Sequence, residues 1–240
     1  MTLDDILGAL FGPDHGLGRD GDILMGRAAL ADGTTLNVLG ITGGAELGVD
    51  QAILLAGRVL DVARSDDRVP LLFLVDSSSQ RMSRRDELMG LSEYLAHLAK
   101  SLMLAERSGH RTLGLLYGGS AAGAFTATAL ACGKLVALPG AQPAVMDLPS
   151  MARVTKLPLE LLKEKAAATP VFAPGLENLA QTGAIAETLD PAKPLDVQLK
   201  TLLEQPAAGD GRGALGKARG GRPKAADIAQ EVQLLAAAHA

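Results

Sequence analysis

Two uninterrupted apolar runs in the middle of the chain constrain its fold more than any other feature. They are VPLLFLVD, residues 69–76, and TLGLLYG, residues 112–118. Each run lacks polar alternation and leads through small residues into a helical pattern, which is typical of strands buried on both faces of a parallel sheet. Strand and helix patterns alternate in this way from Leu17 to Asp147. The sequence therefore predicts an α/β domain with parallel crossover connections.

Local signals place further elements around these runs. The pair Asp32-Gly33 predicts a hairpin between two strands. Residues 83–107 have the period of a single long amphipathic helix, with Ser83 as its cap. Residues 120–133 follow the second apolar run, and we expect the next helix there.

The last third of the chain changes in character. After residue 147 the pattern is helical, and beyond residue 205 glycine becomes frequent. We expect one domain over residues 1–205, a flexible glycine-rich loop or linker over residues 206–224, and a C-terminal helix over residues 225–240.

Composition narrows the possible functions. The 240 residues are 48% hydrophobic, enough for a large buried core. Cys132 is the single cysteine and the four histidines are far apart, so no disulfide or metal site is expected. A net charge of −4 argues against nucleic acid as a partner. Because no signal-peptide pattern or membrane-length apolar stretch is present, we expect a cytoplasmic protein with no membrane partner.

The stretch GGSAAGA, residues 118–124, stands where the second apolar strand passes into a helix. Three interpretations are open. The small residues could serve only close packing. They could form a phosphate cradle, although neither standard glycine-rich nucleotide motif is present. They could also form an oxyanion hole, in which backbone amides at the head of a helix hold an oxygen as it gains negative charge. The candidate catalytic residues on the third interpretation are Gly118, Gly119, Ser120 and Ala121.

A second turn of small residues favours the oxyanion hole. Ser77, Ser78 and Ser79 follow the first apolar strand, and Ser120 lies 43 positions after Ser77. In open α/β sheets ligands bind at the carboxyl ends of the strands. We therefore expect the three serines to line the substrate pocket next to the glycine turn. Tyr117 precedes the glycines and is a further candidate, either as a hydrogen-bond donor to the substrate or as a packing residue.

Three arginines crowd the start of the helix that follows Ser83, where positive charge is unfavourable. Arg81, Arg84 and Arg85 could be a solvated face that is neutralised by Asp86 and Glu87. Alternatively, the three arginines could attract an anionic substrate or an acidic carrier protein, with Arg81 and Arg84 as the candidate substrate-binding residues.

Other polar candidates carry weaker signals. Cys132 and His97 are expected to be structural, and His110 and Arg111 are expected at the surface just before a buried strand. Asp147 and Ser150 follow the last predicted strand of the sheet and could line the cleft.

The two turns also carry a family resemblance. The segment from Asp76 to Gln80 and the segment from Gly118 to Ala124 resemble the paired turns of the carboxyltransferase branch of the crotonase-like superfamily, Asp-Thr-Pro-Gly-Ala and Gly-Gly-Ser-Gly-Gly-Ala. Together with VMDLPSMARVTK, residues 145–156, they are most similar to the gamma subunits of biotin-independent malonate decarboxylases. Ser78-Ser79-Gln80 replaces Pro-Gly-Ala, and Ala121-Ala122 replaces two glycines, which favours the decarboxylases over the acetyl-CoA carboxylases.

This resemblance implies a fold and a reaction. The fold would be the crotonase-like ββα superhelix, as one carboxyltransferase-type half-domain. The chain would form an active site together with a homologous beta subunit and would be inactive without it. The substrate would be a malonyl thioester on the phosphopantetheine-type group of an acyl-carrier protein, decarboxylated to the acetyl thioester and carbon dioxide without a bound cofactor.

Two other functions fit the same residues. The chain could be the carboxyltransferase half of a biotin-dependent decarboxylase or carboxylase, in which the pocket stabilises the ureido oxygen of carboxybiotin. It could also be a non-catalytic scaffold that completes the pocket of its partner. A crotonase-type hydratase is disfavoured because no pair of glutamates lies near either turn.

Overall fold

A computed structural model describes residues 1–170, 173–205 and 209–238 of the chain, and a seven-stranded sheet lies at its centre. The strands of this sheet are β1 (Gly18–Asp20), β2 (Ile23–Ala29), β3 (Thr35–Leu47), β4 (Leu71–Gln80), β5 (Thr112–Leu116), β7 (Lys134–Ala137) and β9 (Glu187–Thr188). Two further strands, β6 (Gly119–Ala121) and β8 (Gln142–Ala144), form a small parallel sheet of their own.

The strand order of the large sheet is β1-β2-β3-β4-β5-β7-β9. Within this sheet β1, β2 and β3 pair in antiparallel fashion, and β3, β4, β5, β7 and β9 pair in parallel. The predicted hairpin is present, since β2 and β3 pair in antiparallel fashion as far as Ala29 and Thr35. In the turn between them the Asp32 carboxylate accepts a hydrogen bond of 2.9 Å from the Thr34 amide. All residues from Leu71 to Val75 are buried, as the first apolar run predicts for a central parallel strand.

Helices cover both faces of the sheet. They are α1 (Leu3–Phe11), α2 (Val49–Arg64), α3 (Arg84–Leu88), α4 (Leu91–Arg107), α5 (Ala122–Ala127), α6 (Leu148–Thr155), α7 (Leu159–Ala168), α8 (Leu176–Gln181), α9 (Leu195–Glu204), α10 (Arg212–Ala218) and α11 (Pro223–Ala238). The larger core lies between the sheet and α2, α4 and α5, and the second core lies under α1 and α9. None of the helices in the described residues is long and apolar enough to cross a membrane.

The prediction of a single helix over residues 83–107 is wrong. The helix is interrupted between α3 and α4 at Gly90, which has a left-handed φ of 83°. Glycine adopts this conformation without steric cost, and it ends helices for that reason. Ser83 is the cap of the short α3, as predicted, and its hydroxyl accepts a hydrogen bond from the Asp86 amide.

The helix predicted from residue 120 begins two residues later, at Ala122. Gly119 to Ala121 are extended and pair in parallel with β8, where Ser120 lies opposite Pro143. The glycine turn is therefore a short strand followed by a helix, and part of its backbone is already paired.

The C-terminal region also differs from the expectation. Within the segment predicted as a loop over residues 206–224, residues 206–208 lie outside the described residues, and Arg212–Ala218 form helix α10. The last helix begins at Pro223, two residues earlier than predicted. The division into a domain, a linker and a terminal helix stays a prediction.

Candidate functional site

The two segments of small residues lie side by side, one in the last part of β4 and the other just after β5. Ser77 at the end of β4 and Ser120 in β6 are both buried, and their hydroxyl oxygens are 2.9 Å apart. The parallel pairing of β4 with β5 carries the chain to this point, since Val75 pairs with Leu116. The structure thus brings together the two segments that the sequence singled out.

The carboxylate of Asp76 binds two backbone amides from different parts of the chain. One oxygen accepts a hydrogen bond of 3.0 Å from Gly119, and the other accepts one of 3.1 Å from Gly44. Gly43 and Gly44 have left-handed φ angles of 73° and 66°, a conformation that glycine adopts readily. Asp76 therefore connects the glycine turn to the loop within β3.

The two glycines of the turn are required by this arrangement. A Cβ atom on Gly118 would lie 2.0 Å from a carboxylate oxygen of Asp76, and one on Gly119 would lie 2.9 Å from the Ser77 carbonyl oxygen. Both distances are too short for real contacts, so any larger residue would push the turn away from β4. Close packing against the end of β4 is enough to account for both glycines.

A third contact closes the turn on the side of α5. The side-chain oxygen of Gln80 accepts a hydrogen bond of 2.8 Å from the Gly123 amide. We call the three contacts Asp76–Gly119, Ser77–Ser120 and Gln80–Gly123 the polar clasp. In each contact the two residues are 43 positions apart, whereas the paired residues of β4 and β5 are 41 positions apart, so the clasp is shifted by two residues from the register of the sheet.

The clasp corrects part of the predicted oxyanion hole. The Gly119 amide was expected to face the substrate, but it donates its hydrogen bond to Asp76. Ser120 was expected in the pocket as well, but its side chain is buried and paired with Ser77. Gly118, Gly119 and Ala121 are all partly exposed, and of these three Gly119 is the one whose amide is bonded to Asp76.

The first residue of α5 is conformationally strained. Ala122 has a φ of 50°, in the left-handed region that residues with a Cβ atom rarely adopt. Ala121 caps the helix without a side-chain hydrogen bond. The carboxyltransferase pattern that the turn resembles has glycine at both positions, and glycine adopts a φ of this sign without steric cost.

The turn predicted at the three serines is wrong, because β4 extends through them to Gln80, where it still pairs with β3. The serines differ in accessibility. Ser77 is buried, Ser78 is exposed, and Ser79 is partly exposed with its hydroxyl donating to the Gln80 carbonyl at 3.0 Å. Of the three predicted pocket residues, Ser78 is the one whose side chain is most open to a ligand.

The three arginines have different surroundings. Arg85 makes a two-pronged ion pair with Asp50, with N–O distances of 2.7 and 3.0 Å, and this pairing raises the Arg85 pKa. The Nε atom of Arg81 lies 3.9 Å from the buried Asp86 carboxylate and 4.0 Å from Glu46. Arg84 is exposed and makes no ion pair with any residue that the structure describes. Neutralisation by Asp86 is therefore present, but neutralisation by Glu87 is not found within the described ranges.

Tyr117 directly follows β5 and packs against the second core. Its hydroxyl is buried and has no hydrogen-bond partner among the described residues. Burial raises the Tyr117 pKa, and the negative charge of Asp76 raises it further. The hydroxyl is thus kept in its neutral form beside the Asp76 carboxylate.

Three of the weaker candidates, Cys132, His110 and Arg111, have structural surroundings. Cys132 is fully buried, and this burial raises the pKa of its thiol to about 12. His110 was predicted at the surface, but it is buried. Its ring nitrogens contact the carbonyl oxygens of Val69 and Ser65, in the segment that precedes β4. Arg111 is only partly exposed and binds carbonyl oxygens at the end of α9. His97 is exposed on α4.

Asp147 and Ser150 have a local role at the start of α6. The Asp147 carboxylate caps the helix by accepting a hydrogen bond of 2.6 Å from the Ser150 amide, and the Ser150 hydroxyl accepts one from Arg153. Within the described part of the chain no group of three histidine, cysteine or acidic side chains is placed to hold a metal ion.

Asp76 and Gln80 are the residues of the site to which sequence reasoning assigned no role. A signal was available for Asp76, because a lone acidic residue at the end of a buried strand needs hydrogen-bond donors. No local signal identified Gln80, whose acceptor function depends on a turn 43 positions away.

The sheet and the paired segments give the protein the fold of the crotonase-like carboxyltransferases. A crystal structure of the transcarboxylase 12S core with hydrolysed methylmalonyl-coenzyme A has a TM-score of 0.69 and 17% sequence identity to this chain. The match covers 87% of this chain and 41% of that one, and at this identity it shows the fold. The predicted fold class is confirmed.

More similar relatives define the family. A Pseudomonas malonate decarboxylase hetero-tetramer in complex with coenzyme A contains a chain with a TM-score of 0.76 and 27% identity, and the match covers 96% of both chains. The malonyl-S-ACP:biotin-protein carboxyltransferase MADD of Malonomonas rubra is 26% identical over 73% of this chain and 67% of that protein. The model of the malonate decarboxylase gamma subunit family, MdcE, matches residues 42–236. The chain belongs to the malonate decarboxylase gamma subunit family, as its turns suggested.

Proposed function

We propose that this chain is one subunit of a malonate decarboxylase complex and that a homologous beta subunit completes its active site. Membership of the gamma subunit family is the observation that carries the proposal. The Pseudomonas relatives were crystallised as an MdcD-MdcE hetero-dimer and as a hetero-tetramer. By analogy with the M. rubra relative, which is named for malonyl-S-ACP, we assign an acyl-carrier protein as the substrate carrier. The complex would act in the cytoplasm.

The proposed reaction needs a place for negative charge rather than a nucleophile. When the bond between the malonyl carboxyl carbon and its neighbour breaks, the electron pair moves toward the thioester oxygen and carbon dioxide leaves. The resulting enolate takes a proton from water at carbon and becomes the acetyl thioester. A backbone amide placed at the developing oxyanion stabilises such a step by about 3 kcal/mol. No cofactor bound to this chain takes part.

We assign the amides of Gly118 and Ala121 as the donors that remain for the thioester oxygen. Both residues are partly exposed, and they flank the Gly119 amide that Asp76 occupies. The small side chain of Ala121 leaves the backbone within reach of an acyl group. Ser78, exposed at the end of β4, would line the neighbouring wall.

The charges near the turn suit an anionic substrate or carrier. Arg84 is exposed and has no ion pair within the described residues, while Arg81 is partly exposed and its Nε atom lies 3.9 Å from Asp86 and 4.0 Å from Glu46. We propose that Arg84 attracts the carrier protein and that Arg81 faces the malonyl carboxylate. Tight binding of that carboxylate in the ground state would lower KM without raising kcat. A cation that attracts the malonyl carboxylate without a direct ion pair to it therefore suits the reaction better than one that forms such a pair.

The surface beside the turn fits a subunit contact. Met82 lies two residues after β4 and Leu88 ends α3, and each is 77% exposed. Large apolar side chains in such a position commonly mark a protein–protein interface. We propose that the beta subunit covers them, and that the isolated chain is inactive because half of the acyl site is then missing.

The experiment that tests this function is a reconstitution. The chain and its beta subunit are purified together, and carbon dioxide release from a malonyl thioester on the acyl-carrier protein is measured, with each subunit alone as control. We expect turnover by the complex and none by either subunit. Absence of turnover by a stable complex would reject the proposal.

A matched pair of variants tests the assignment of the turn. Ala121→Leu places a large side chain on the partly exposed end of the turn, and Ala99→Leu makes the same change at a partly exposed position of α4. Because a misplaced acyl group loses catalysis steeply, we expect Ala121→Leu to lower kcat/KM by more than about tenfold and Ala99→Leu to leave it within about twofold. Equal rates in both variants would indicate a scaffold role.

One specific observation favours a second function. The M. rubra relative is a biotin-protein carboxyltransferase, and the present chain is 26% identical to it. In that case the same turn would stabilise the ureido oxygen of biotin while the carboxyl group is transferred. Sensitivity of the assembled enzyme to avidin separates the two functions, because a decarboxylase that releases carbon dioxide directly is unaffected.

A further inference from the structure

We infer that Asp76 is a positioning residue for the glycine turn and that it, rather than a ligand, is the anion bound by the Gly119 amide. Its consequence for catalysis rests on the proposed function. Its effect on the shape of the turn does not.

The contacts of Asp76 connect three separate segments. The residue is partly exposed in β4, and its two carboxylate oxygens accept hydrogen bonds from the amides of Gly119 and Gly44. Hydrogen bonds to an ionised acceptor are roughly twice as strong as those between neutral groups. Gly44 lies in the left-handed bend of β3 between Ile41 and Ala45, where the register with β4 shifts. One side chain therefore holds both the bend and the turn.

The space around the carboxylate is complementary to the turn. A Cβ on Gly118 would overlap the Asp76 carboxyl group, with the nearest oxygen at 2.0 Å. The glycine is thus matched to the aspartate, and the turn lies against β4 as closely as a backbone can. If Asp76 were lost, the Gly119 amide would lack its acceptor and the turn would have room to move.

The other contacts of the polar clasp act on the same short segment. Ser77 is hydrogen-bonded to Ser120, and Gln80 is hydrogen-bonded to Gly123. Between Ser120 and Gly123, Ala122 has its left-handed φ of 50°. A strained residue persists where its surroundings hold it in place. Asp76 supplies the contact nearest the start of the turn, beside Gly118, which is one of the two amides proposed to meet the acyl oxygen.

Both oxygens of Asp76 are engaged with backbone amides, so we assign it no direct chemical step. A residue of this kind sets where the donors point. Removing it should lower kcat more than it raises KM, because oriented donors matter most when the charge develops in the transition state.

The test uses the complex of this chain with its beta subunit and three variants. Asp76→Ala removes both acceptors, Asp76→Asn keeps the size and one acceptor oxygen, and Asp32→Asn makes the same change at the distant hairpin. Hydrogen exchange of the amides in residues 118–124 is measured by mass spectrometry, and kcat and KM are measured with the malonyl thioester on its carrier.

We expect exchange in residues 118–124 to accelerate by about 10- to 100-fold in Asp76→Ala, as the loss of charged hydrogen bonds implies. Asp76→Asn should show a smaller acceleration, and Asp32→Asn should show none. In parallel, kcat should fall in the same order while KM changes by less than about threefold.

The outcomes separate the inference from the proposed function. Unchanged exchange in both Asp76 variants would overturn the inference at any level of activity. Accelerated exchange with unchanged kcat would overturn the role of Asp76 in positioning the reaction. If the wild-type complex fails to decarboxylate the thioester, the proposed function is rejected and exchange alone decides whether Asp76 holds the turn. If Asp76→Ala does not fold, Asp76→Asn provides both measurements.

Discussion

The hydroxyl oxygens of Ser77 and Ser120 lie 2.9 Å apart, and both side chains are buried at the point where β4 and β6 pass one another. A hydroxyl that loses its partner in such a place costs about 1–3 kcal/mol, whereas removing both hydroxyls is nearly neutral. The pair therefore couples the two turns energetically. It also makes a sharp test of the packing at the site.

We predict that Ser77→Ala and Ser120→Ala each lower the free energy of unfolding by about 1–2 kcal/mol, and that the double variant loses less than the sum of the two. Urea unfolding of the four proteins gives the coupling free energy. Additive losses would mean that the two hydroxyls do not depend on one another.

The left-handed backbone at Ala122 predicts an unusual response to glycine. Because the strain of a Cβ atom at a φ of 50° is relieved, Ala122→Gly should raise the free energy of unfolding by up to about 1 kcal/mol. The matched change Ala96→Gly in α4 should lower it by about 1 kcal/mol, as in any helix interior. Thermal unfolding of both variants checks the opposite signs, and two losses of equal size would contradict the strained geometry.

The parallel sheet could be predicted from sequence because its signal is local. Five consecutive buried residues, Leu71 to Val75, report a central strand by their composition alone. The break at Gly90 was missed because the apolar spacing continues across it from α3 to α4. The glycine itself was the signal, and the helical period concealed it.

The details of the turn could not be predicted in the same way. Gly119 to Ala121 have side chains too small to show a period, and they become a strand because β8 lies beside them. The partner of the Gly119 amide is Asp76, 43 positions earlier, and its identity depends on how two strands align in space. Sequence reasoning predicted that the Gly119 amide faces a substrate, whereas in the structure this amide donates a hydrogen bond to Asp76.

The buried thiol of Cys132 predicts a dependence of stability on alkaline pH. Burial raises its pKa from 9.0 to about 12, and the nearby Glu106 carboxylate adds to this effect. The folded chain therefore holds the proton over a pH range in which the unfolded chain loses it. Stability from this group is complete below pH 9 and falls as the pH rises toward 12.

Comparison of the wild type with Cys132→Ala checks this linkage. The free energy of unfolding should fall more steeply with pH in the wild type than in Cys132→Ala between pH 9 and 11. The folded protein should also react slowly with a thiol reagent at pH 8, since the thiolate is the reactive form. Rapid labelling without unfolding would contradict the burial of this residue.

The exposed cation at Arg84 predicts a salt-dependent interaction with the carrier. Arg84→Glu reverses a charge beside the turn, and Arg64→Glu makes the same change at the far end of α2. Because charge steering acts over about a Debye length, near 10 Å at 0.1 M salt, only the first variant should affect the carrier-bound substrate. We expect its KM to rise by about three- to tenfold at low salt and to approach the wild-type value at 0.5 M salt. Steady-state kinetics of the complex at several salt concentrations measure this, and a KM increase that is independent of salt, or equal in both variants, would rule out electrostatic attraction at Arg84.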